Sequence, residues 1–211
     1  MLQRKNRILV LLISIVSLII LYPYLQGSII KVALFTTLLS ITLISSAYVL
    51  SYDRKPFAIA LILGIPALLF TWLGFFAYNA IFAYASSIFT IAFYTFTLCM
   101  ILSYVFNSKK IATAEIYGAV CVYLLMGITW GILYSLTEQL NPGSFVSRTG
   151  ALLSWSDFVY FSFATLTTAG YGDIIAITAR AQSLAILEMV AGVLYIAVLV
   201  ARLVSLYGKR K

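Results

Sequence analysis

The amino-acid sequence predicts an all-α integral membrane protein. Of its 211 residues, 63% are hydrophobic and only 9% are charged, which leaves too little polar surface to cover a water-soluble globule. Mean hydropathy is +1.06, and the apolar residues form long runs that short polar segments interrupt. Because a helix of about 20 residues crosses the roughly 30 Å of hydrocarbon in a bilayer, each long run is a candidate transmembrane helix.

Six of the apolar runs are long enough to span a membrane, and they predict six transmembrane helices. In chain order they cover residues 8–25, 29–50, 57–76, 80–106, 115–136 and 178–207. Only residues 77–79 separate the third run from the fourth. We therefore expect these two helices to form a tight antiparallel hairpin.

The positions of the basic residues predict that both termini are cytoplasmic. A six-helix chain places ten of them on one side of the membrane: Arg4, Lys5, Arg7, Arg54, Lys55, Lys109, Lys110, Lys209, Arg210 and Lys211. The other side holds Arg148, with Lys31 and Arg180 near helix ends. A basic start before an apolar run also fits a signal peptide, but no small-x-small cleavage pattern lies near residues 22–24. We expect a retained first helix in a multi-pass protein of the cell membrane.

A long stretch, residues 137–177, joins the fifth and sixth runs. It contains Asn141-Pro142-Gly143, a turn signal, and then a shorter apolar segment over residues 155–167. A helix of that length measures about 20 Å, which is too short to cross the bilayer. Ser154 and Asp157 are suitable capping residues for its N-terminus. We expect this helix to enter the membrane and return on the same side.

The segment that ends this short helix reads TLTTAGYGD, from Thr165 to Asp173. Non-helical backbone is tolerated at membrane depth only where it is buried in protein or lines a water-filled path. Gly170 and Gly172 can adopt backbone conformations that are closed to other residues, so that consecutive carbonyl oxygens point the same way. Stacked carbonyl oxygens can replace the hydration shell of a cation. The segment therefore indicates an ion pathway.

This segment resembles the selectivity filter of the potassium channels, whose signature is TVGYG. Here it reads Thr168-Ala169-Gly170-Tyr171-Gly172. The TxTT pattern before it and the acidic residue after it also agree with that family, and Gly192 stands where many such channels carry the hinge glycine of the inner helix. The wider pattern is similar to small six-span bacterial channels, which implies a bacterial inner membrane.

The resemblance implies a role for each matching residue. Thr168, Ala169, Gly170, Tyr171 and Gly172 would form the ion-coordinating filter, with the Thr168 hydroxyl as a further ligand. Thr165 and Thr167 would support it, Asp173 would stand at its outer mouth, and Tyr160 is expected to brace Tyr171. One chain supplies one wall of such a filter, so the resemblance implies a homotetramer in the lipid bilayer. It also implies K⁺ as the permeant ion and no cofactor.

The resemblance also divides the chain into a peripheral four-helix region, residues 1–110, and a pore domain, residues 111–211, with outer helix, pore helix, filter and inner helix. The peripheral region is like a voltage sensor in length but not in charge. Residues 80–106 contain no Lys or Arg, whereas steep voltage gating requires several charges that move through the field. We expect a voltage-independent channel. Because only residues 208–211 follow the last run, no soluble ligand domain is expected.

Two features of the last run are candidates for function. Ile196, Val200 and Val204 follow one another at intervals of one helical turn and would either constrict a pore by dewetting or serve ordinary packing. Glu188 is an ionisable residue at membrane depth, which is a functional hypothesis by default. It would either concentrate cations in a cavity or hydrogen-bond the pore helix of a neighbouring chain, and we favour the second because Val193 and Ile196 lie on the more suitable cavity face.

A potassium-selective channel explains these features best, and two alternatives remain. A poorly selective cation channel is one, because Ala169 replaces the usual valine or isoleucine; a pore-loop potassium transporter subunit is the other, although such chains usually carry several degenerate filters. An enzyme is disfavoured because the sequence contains no histidine and its six acidic residues form no catalytic or metal-binding motif. The net charge of +8 is scattered in small clusters, so no nucleic-acid partner is expected.

Overall fold

The computed structural model describes residues 2–25, 28–77, 79–108 and 112–208. The predicted all-α class is confirmed. The helices are α1 Leu2–Leu21, α2 Ile29–Leu50, α3 Arg54–Phe76, α4 Ala80–Asn107, α5 Thr113–Leu140, α6 Trp155–Leu166 and α7 Ala179–Gly208. Two three-residue strands, β1 Phe145–Ser147 and β2 Ile174–Ala176, pair in antiparallel register.

Within the described residues, six helices are long and apolar enough to cross a membrane, namely α1 to α5 and α7. Each predicted span overlaps one of these helices, but α1 begins earlier than expected, at Leu2, and ends at Leu21 in a 3-10 turn over Tyr22–Tyr24, whereas α5 continues to Leu140. The apolar run marks the part of a helix suited to lipid, whereas flanking residues such as Arg4 and Lys5 are themselves good helix formers. Tyr78, Lys109, Lys110 and residues 209–211 lie outside the described residues.

The chain forms two compact units, Met1–Leu125 and Met126–Lys211. In the first unit, α3 and α4 are antiparallel neighbours, as their short connection predicts. The Phe70 ring of α3 stacks on Phe82 and Phe89 of α4 at centroid distances of 6.2 and 5.8 Å. The hydroxyl groups of Thr71 and Ser86 lie 2.7 Å apart across the same interface.

Buried hydroxyl groups in the first unit are satisfied mainly by their own helices. Along α2, Ser40 donates to the Thr36 carbonyl, and Ser46 donates to the Thr42 carbonyl, both at 2.8 Å. A hydroxyl that bonds one turn back carries no unpaired polar atom into the apolar interior. Ser40 and Ser46 therefore lie in the apolar interior of the first unit with their hydroxyl groups satisfied by α2 itself.

The border between the two units lies inside α5 rather than in the connection before it. The first part of α5 packs within the first unit: Gly118 faces Ile101 and Val105 of α4 so closely that an added Cβ would lie 3.3 and 3.1 Å from their methyl groups. The Cys121 thiol lies 3.7 Å from the Ile8 carbonyl oxygen of α1. The predicted division between a peripheral region, residues 1–110, and a pore domain, residues 111–211, is a division by function, so the border between compact units does not test it and it stays a prediction.

Candidate functional site

The site begins with the short helix α6, whose start is fixed by its own capping residues. The backbone N–H of Ser154 donates to Asp157 Oδ2 at 2.7 Å, and the Ser154 hydroxyl donates to the same oxygen at 2.6 Å. A carboxylate in the first turn also interacts favourably with the helix dipole. At the other end, the Thr167 N–H donates to the Phe163 carbonyl at 3.1 Å, and the helix stops at Leu166.

The segment after α6 alternates in backbone handedness. Thr168, Gly170 and Gly172 have φ values of 59°, 54° and 74°. Thr168 is the one residue other than glycine with positive φ in the described part of the chain, and a β-branched residue in that region is strained by about 1–3 kcal/mol. Alternation of backbone hand allows consecutive carbonyl groups to point to a common side, which is the arrangement that a carbonyl-lined cation site requires.

The first half of this segment is anchored to the end of α6 through its N–H groups. The Thr168 N–H donates to the Thr165 carbonyl at 2.9 Å, while Ala169 and Gly170 both donate to the Ala164 carbonyl, at 2.9 and 3.2 Å. A Cβ added at Gly170 or Gly172 would meet nothing within 4 Å. Within one chain, the positive φ and not crowding requires glycine at these positions.

The second half of the segment is held by the two strands, which the sequence analysis did not predict. β1 pairs with β2 directly after the filter-like residues, and the Arg148 N–H donates to the Asp173 carbonyl at 2.7 Å. The Glu138 carboxylate accepts from the N–H groups of Gly143 and Phe145 at 2.7 and 3.0 Å, which fixes the loop that leads into β1. In the sequence, only the β-branched residues Val146, Ile174 and Ile175 indicated these strands. A strand of three residues is too short to show the alternation of apolar and polar residues by which strands are recognised.

An aromatic pair and an aromatic cluster flank the segment. Tyr160 stacks on Tyr171 with ring centroids 6.1 Å apart and planes 7° apart; Tyr171 itself is 71% exposed in the single chain. Phe161, one position further, instead packs edge-on against Tyr134 and Phe145 at 5.1 and 5.4 Å. The two consecutive rings of α6 therefore support different elements.

Three glycines let neighbouring helices approach α6 closely. An added Cβ at Gly127 of α5 would lie 2.6 Å from the Phe163 ring, and one at Gly131 would lie 2.9 Å from Val159 Cα. On α7, a Cβ at Gly192 would collide with the Leu166 carbonyl oxygen. α7 is continuous through Gly192, so the structure gives this glycine a packing role, and the hinge role stays a prediction.

Glu188 lies fully buried beside α6 of its own chain. The Tyr134 hydroxyl donates to Glu188 Oε2 at 2.5 Å, and Ser162 Oγ lies 2.5 Å from Glu188 Oε1. The expected partner was the pore helix of a neighbouring chain, and the structure corrects this: the short helix involved belongs to the same chain. The alternative that Glu188 attracts cations finds no support in a side chain with no exposed surface.

The remaining predicted site residues are distributed along exposed surfaces of the single chain. Thr167 and Asp173 are exposed, whereas Thr165 is buried beneath them. Ile196, Val200 and Val204 are 48%, 52% and 66% exposed, and much of the surrounding apolar surface of α7 is equally open. Their role as a gate stays a prediction.

The site is thus built from two spanning helices, a short helix between them and a strained glycine-containing segment, which is the construction of a pore-loop membrane protein. Residues 119–209 match the family model described as "Ion channel". The matched segment contains α6, the glycine-containing segment and α7, so this part of the chain is similar to a family of ion channels and not to an enzyme family.

Two relatives have names that specify an ion. The chain is 32% identical over 123 residues to the voltage-gated potassium channel Kch of Escherichia coli, which covers 57% of this chain and 27% of that protein. It is 35% identical over 83 residues to the two pore potassium channel c of Oryza sativa subsp. japonica, which covers 39% of this chain and 17% of that protein. The chain thus spans less than a third of either relative's length. No solved structure gives a significant match to it.

Proposed function

We propose that four copies of this chain form a potassium-selective channel that conducts K⁺ passively. The observation that carries the proposal is the alternating backbone of Thr168, Gly170 and Gly172, in a segment whose first three N–H groups bond to α6. Carbonyl oxygens presented by such a segment are the ligands that replace water around K⁺. The names of both relatives favour potassium, and no cofactor is needed because K⁺ is the permeant ion.

The tetramer follows from the geometry of ion coordination. Residues 167–173 are exposed in the single chain, and one chain offers one column of carbonyl oxygens. Surrounding a cation with such ligands requires several copies related by a cyclic axis, and four copies complete the filter to which this segment is similar. We place Asp173 at the outer mouth, K⁺ on the axis and lipid around the outer helices. Both termini would then lie on the cytoplasmic side.

Gating does not depend on a charged voltage sensor in this proposal. α4 carries no Lys or Arg between Ala80 and Asn107, whereas each charge that crosses the field contributes about 2.3 kcal/mol per 100 mV. The name of one relative includes voltage gating, but that property requires charges which this helix lacks. We place the candidate gate at Ile196, Val200 and Val204, where apolar side chains would exclude water from a narrow pore.

The test is the reversal potential of the full chain in planar bilayers under a potassium/sodium gradient. We expect reversal near the potassium equilibrium potential for the wild type and loss of current for Gly170→Ala, because alanine is strained at φ 54°. Gly150→Ala is the matched control: its φ is 70°, and an added Cβ would likewise meet nothing within 4 Å. That variant has the same kind of strain outside the filter and should keep its current.

Three other results would contradict the proposal. Robust current with reversal near zero would identify a poorly selective cation channel, which the small Ala169 favours. Saturable uptake without a defined reversal potential would identify a transporter subunit. Equal loss of current in Gly150→Ala and Gly170→Ala would show that backbone strain anywhere in this unit prevents folding, and that the filter segment is not special.

A further inference from the structure

Glu188 joins three helices through a short chain of polar contacts. Its carboxyl group lies between Tyr134 of α5 and Ser162 of α6, with both oxygen–oxygen distances at 2.5 Å. Ser162 Oγ also lies 2.7 Å from the carbonyl oxygen of Gly127, on α5. Glu188, Tyr134 and Ser162 are each completely buried. Among the described residues, the side chains of Glu188, Tyr134 and Ser162 have hydrogen-bond partners only in one another and in the Gly127 carbonyl, which is part of the α5 backbone.

These contacts need one more proton than the hydroxyl groups supply. There are three oxygen–oxygen contacts, and each hydrogen bond requires one proton. The Tyr134 hydroxyl supplies one, for Glu188 Oε2, and the Ser162 hydroxyl supplies one. The Gly127 carbonyl can only accept, and an ionised carboxylate can only accept. If Glu188 is ionised, the single proton of the Ser162 hydroxyl can bond either Glu188 Oε1 or the Gly127 carbonyl oxygen. The other contact then brings two oxygen atoms together with no hydrogen atom between them.

A protonated carboxyl group removes this conflict. Glu188 Oε1 then donates to Ser162 Oγ, Ser162 donates to the Gly127 carbonyl, and Tyr134 donates to Oε2. Donors and acceptors follow one another in a single direction, which strengthens each bond in a buried chain. Neither side-chain partner carries a positive charge, so an ionised carboxylate would also be buried without a counter-ion, which is costly.

Glu115 in the other unit shows the opposite arrangement. It is 5% exposed, and it faces donors only: the Tyr104 hydroxyl at 2.7 Å, the Ser108 hydroxyl at 3.0 Å and the Ala112 N–H at 2.9 Å. Every one of these contacts is satisfied by an ionised carboxylate. Two buried glutamates in one chain thus have different donor requirements.

We propose that Glu188 is a positioning residue held as a neutral carboxylic acid, whose proton bonds Ser162 and so fixes α6 between α5 and α7 behind the filter segment. Gly192 lies one turn further along α7, against the last carbonyl of α6. The acid and the glycine together set where α6 ends, and the end of α6 anchors residues 168–170. The effect on ion selectivity rests on the proposed channel function, but the protonation state does not.

Infrared spectroscopy of the reconstituted full chain at neutral pH tests the protonation state directly. A protonated carboxyl group has a carbonyl stretch that is distinct from the bands of a carboxylate. We expect this band in the wild type, its loss in Glu188→Gln and its persistence in the control Glu115→Gln. Absence of the band from the wild type, or its loss only in Glu115→Gln, would overturn the proposal whether or not the chain conducts ions.

Variants of the same residues test the positioning role. Gln at 188 keeps the donor pattern, since its amide N–H₂ donates to Ser162 and its carbonyl accepts from Tyr134, so we expect potassium current within about twofold of the wild type. Ser162→Ala removes both the acceptor of the carboxyl proton and the donor to Gly127, and we expect at least a tenfold loss of current. Comparable loss of current in Glu188→Gln and Ser162→Ala would contradict the proposal, because it would mean that the charge of Glu188 and not its hydrogen atom is required.

Discussion

Each of the two units contains a buried tyrosine, and the two tyrosines differ in whether their hydroxyl group forms a hydrogen bond. Tyr94 in the first unit and Tyr134 in the second are both completely buried. Among the described residues, the Tyr94 hydroxyl has no hydrogen-bond partner, whereas the Tyr134 hydroxyl donates to Glu188 on another helix. Both units have hydrogen bonds between helices, such as that between Thr71 and Ser86 in the first, but in the second unit a hydrogen bond of Glu188 and the close contacts of three glycines converge on one short helix, α6. We therefore expect substitutions at the contacts around α6 to affect the proposed pore more than equivalent substitutions in the first unit.

The largest effect that this comparison predicts is for Gly192→Ala. The new methyl group would collide with the Leu166 carbonyl oxygen, which is backbone and cannot rotate away. Overpacking of this kind costs about 1–3 kcal/mol, and here it would move the end of α6 that anchors Ala169 and Gly170. We expect most of the potassium flux into proteoliposomes to be lost, with a lower midpoint of thermal unfolding.

Gly74→Ala in the first unit is the control for this substitution. An added Cβ there would lie 3.9 Å from Phe82 Cβ, an ordinary contact, and alanine favours a helix by about 1 kcal/mol over glycine. We expect unchanged flux and equal or higher stability. If Gly192→Ala changes only the open probability and leaves stability and reversal potential intact, Gly192 serves as a hinge and the packing explanation is wrong.

The second prediction compares Tyr134→Phe with Tyr94→Phe. Loss of the Tyr134 hydroxyl deprives the buried Glu188 Oε2 of its donor, and an unsatisfied buried acceptor costs about 1–3 kcal/mol. Loss of the Tyr94 hydroxyl removes a buried group that has no partner, so we expect stability to be unchanged or to rise. Thermal unfolding of both variants in detergent measures the difference. Equal destabilisation by the two substitutions would show that the units do not differ in this respect.

Local patterns in the sequence were sufficient for the elements that depend on local chemistry. The apolar runs predicted the spanning helices, the segment at 155–167 predicted α6, and the two glycines predicted an unusual backbone after it. Each of these follows from residues near one another in the chain, through hydropathy, capping or glycine conformation. The strained conformation of Thr168 was beyond such reasoning, because a β-branched residue reaches positive φ only when surrounding structure enforces it.

The contacts that hold α6 in place could not be predicted, because their partners are distant in sequence. Glu188 is separated from Ser162 by 26 positions and from Tyr134 by 54, and nothing in the sequence indicates which acidic residue meets which hydroxyl. The depth of Glu188 in an apolar run made it a functional candidate, but the prediction of which chain supplies its partner was wrong. The pairing of β1 with β2 is likewise decided by tertiary structure and not by the short strands themselves.

The smallest predicted effect concerns the electrical role of the first unit. Lys31 is exposed at the first turn of α2, and the residues between 80 and 107 contribute no basic charge. A charge influences voltage dependence only to the extent that it moves through the field, and a residue at a helix end crosses little of it. We expect Lys31→Gln to leave the conductance–voltage relation unchanged, measured over a wide voltage range on the reconstituted full chain. A shallower relation in this variant would show that the first unit senses voltage through Lys31, and the contrast between the first unit and the proposed pore unit would no longer hold.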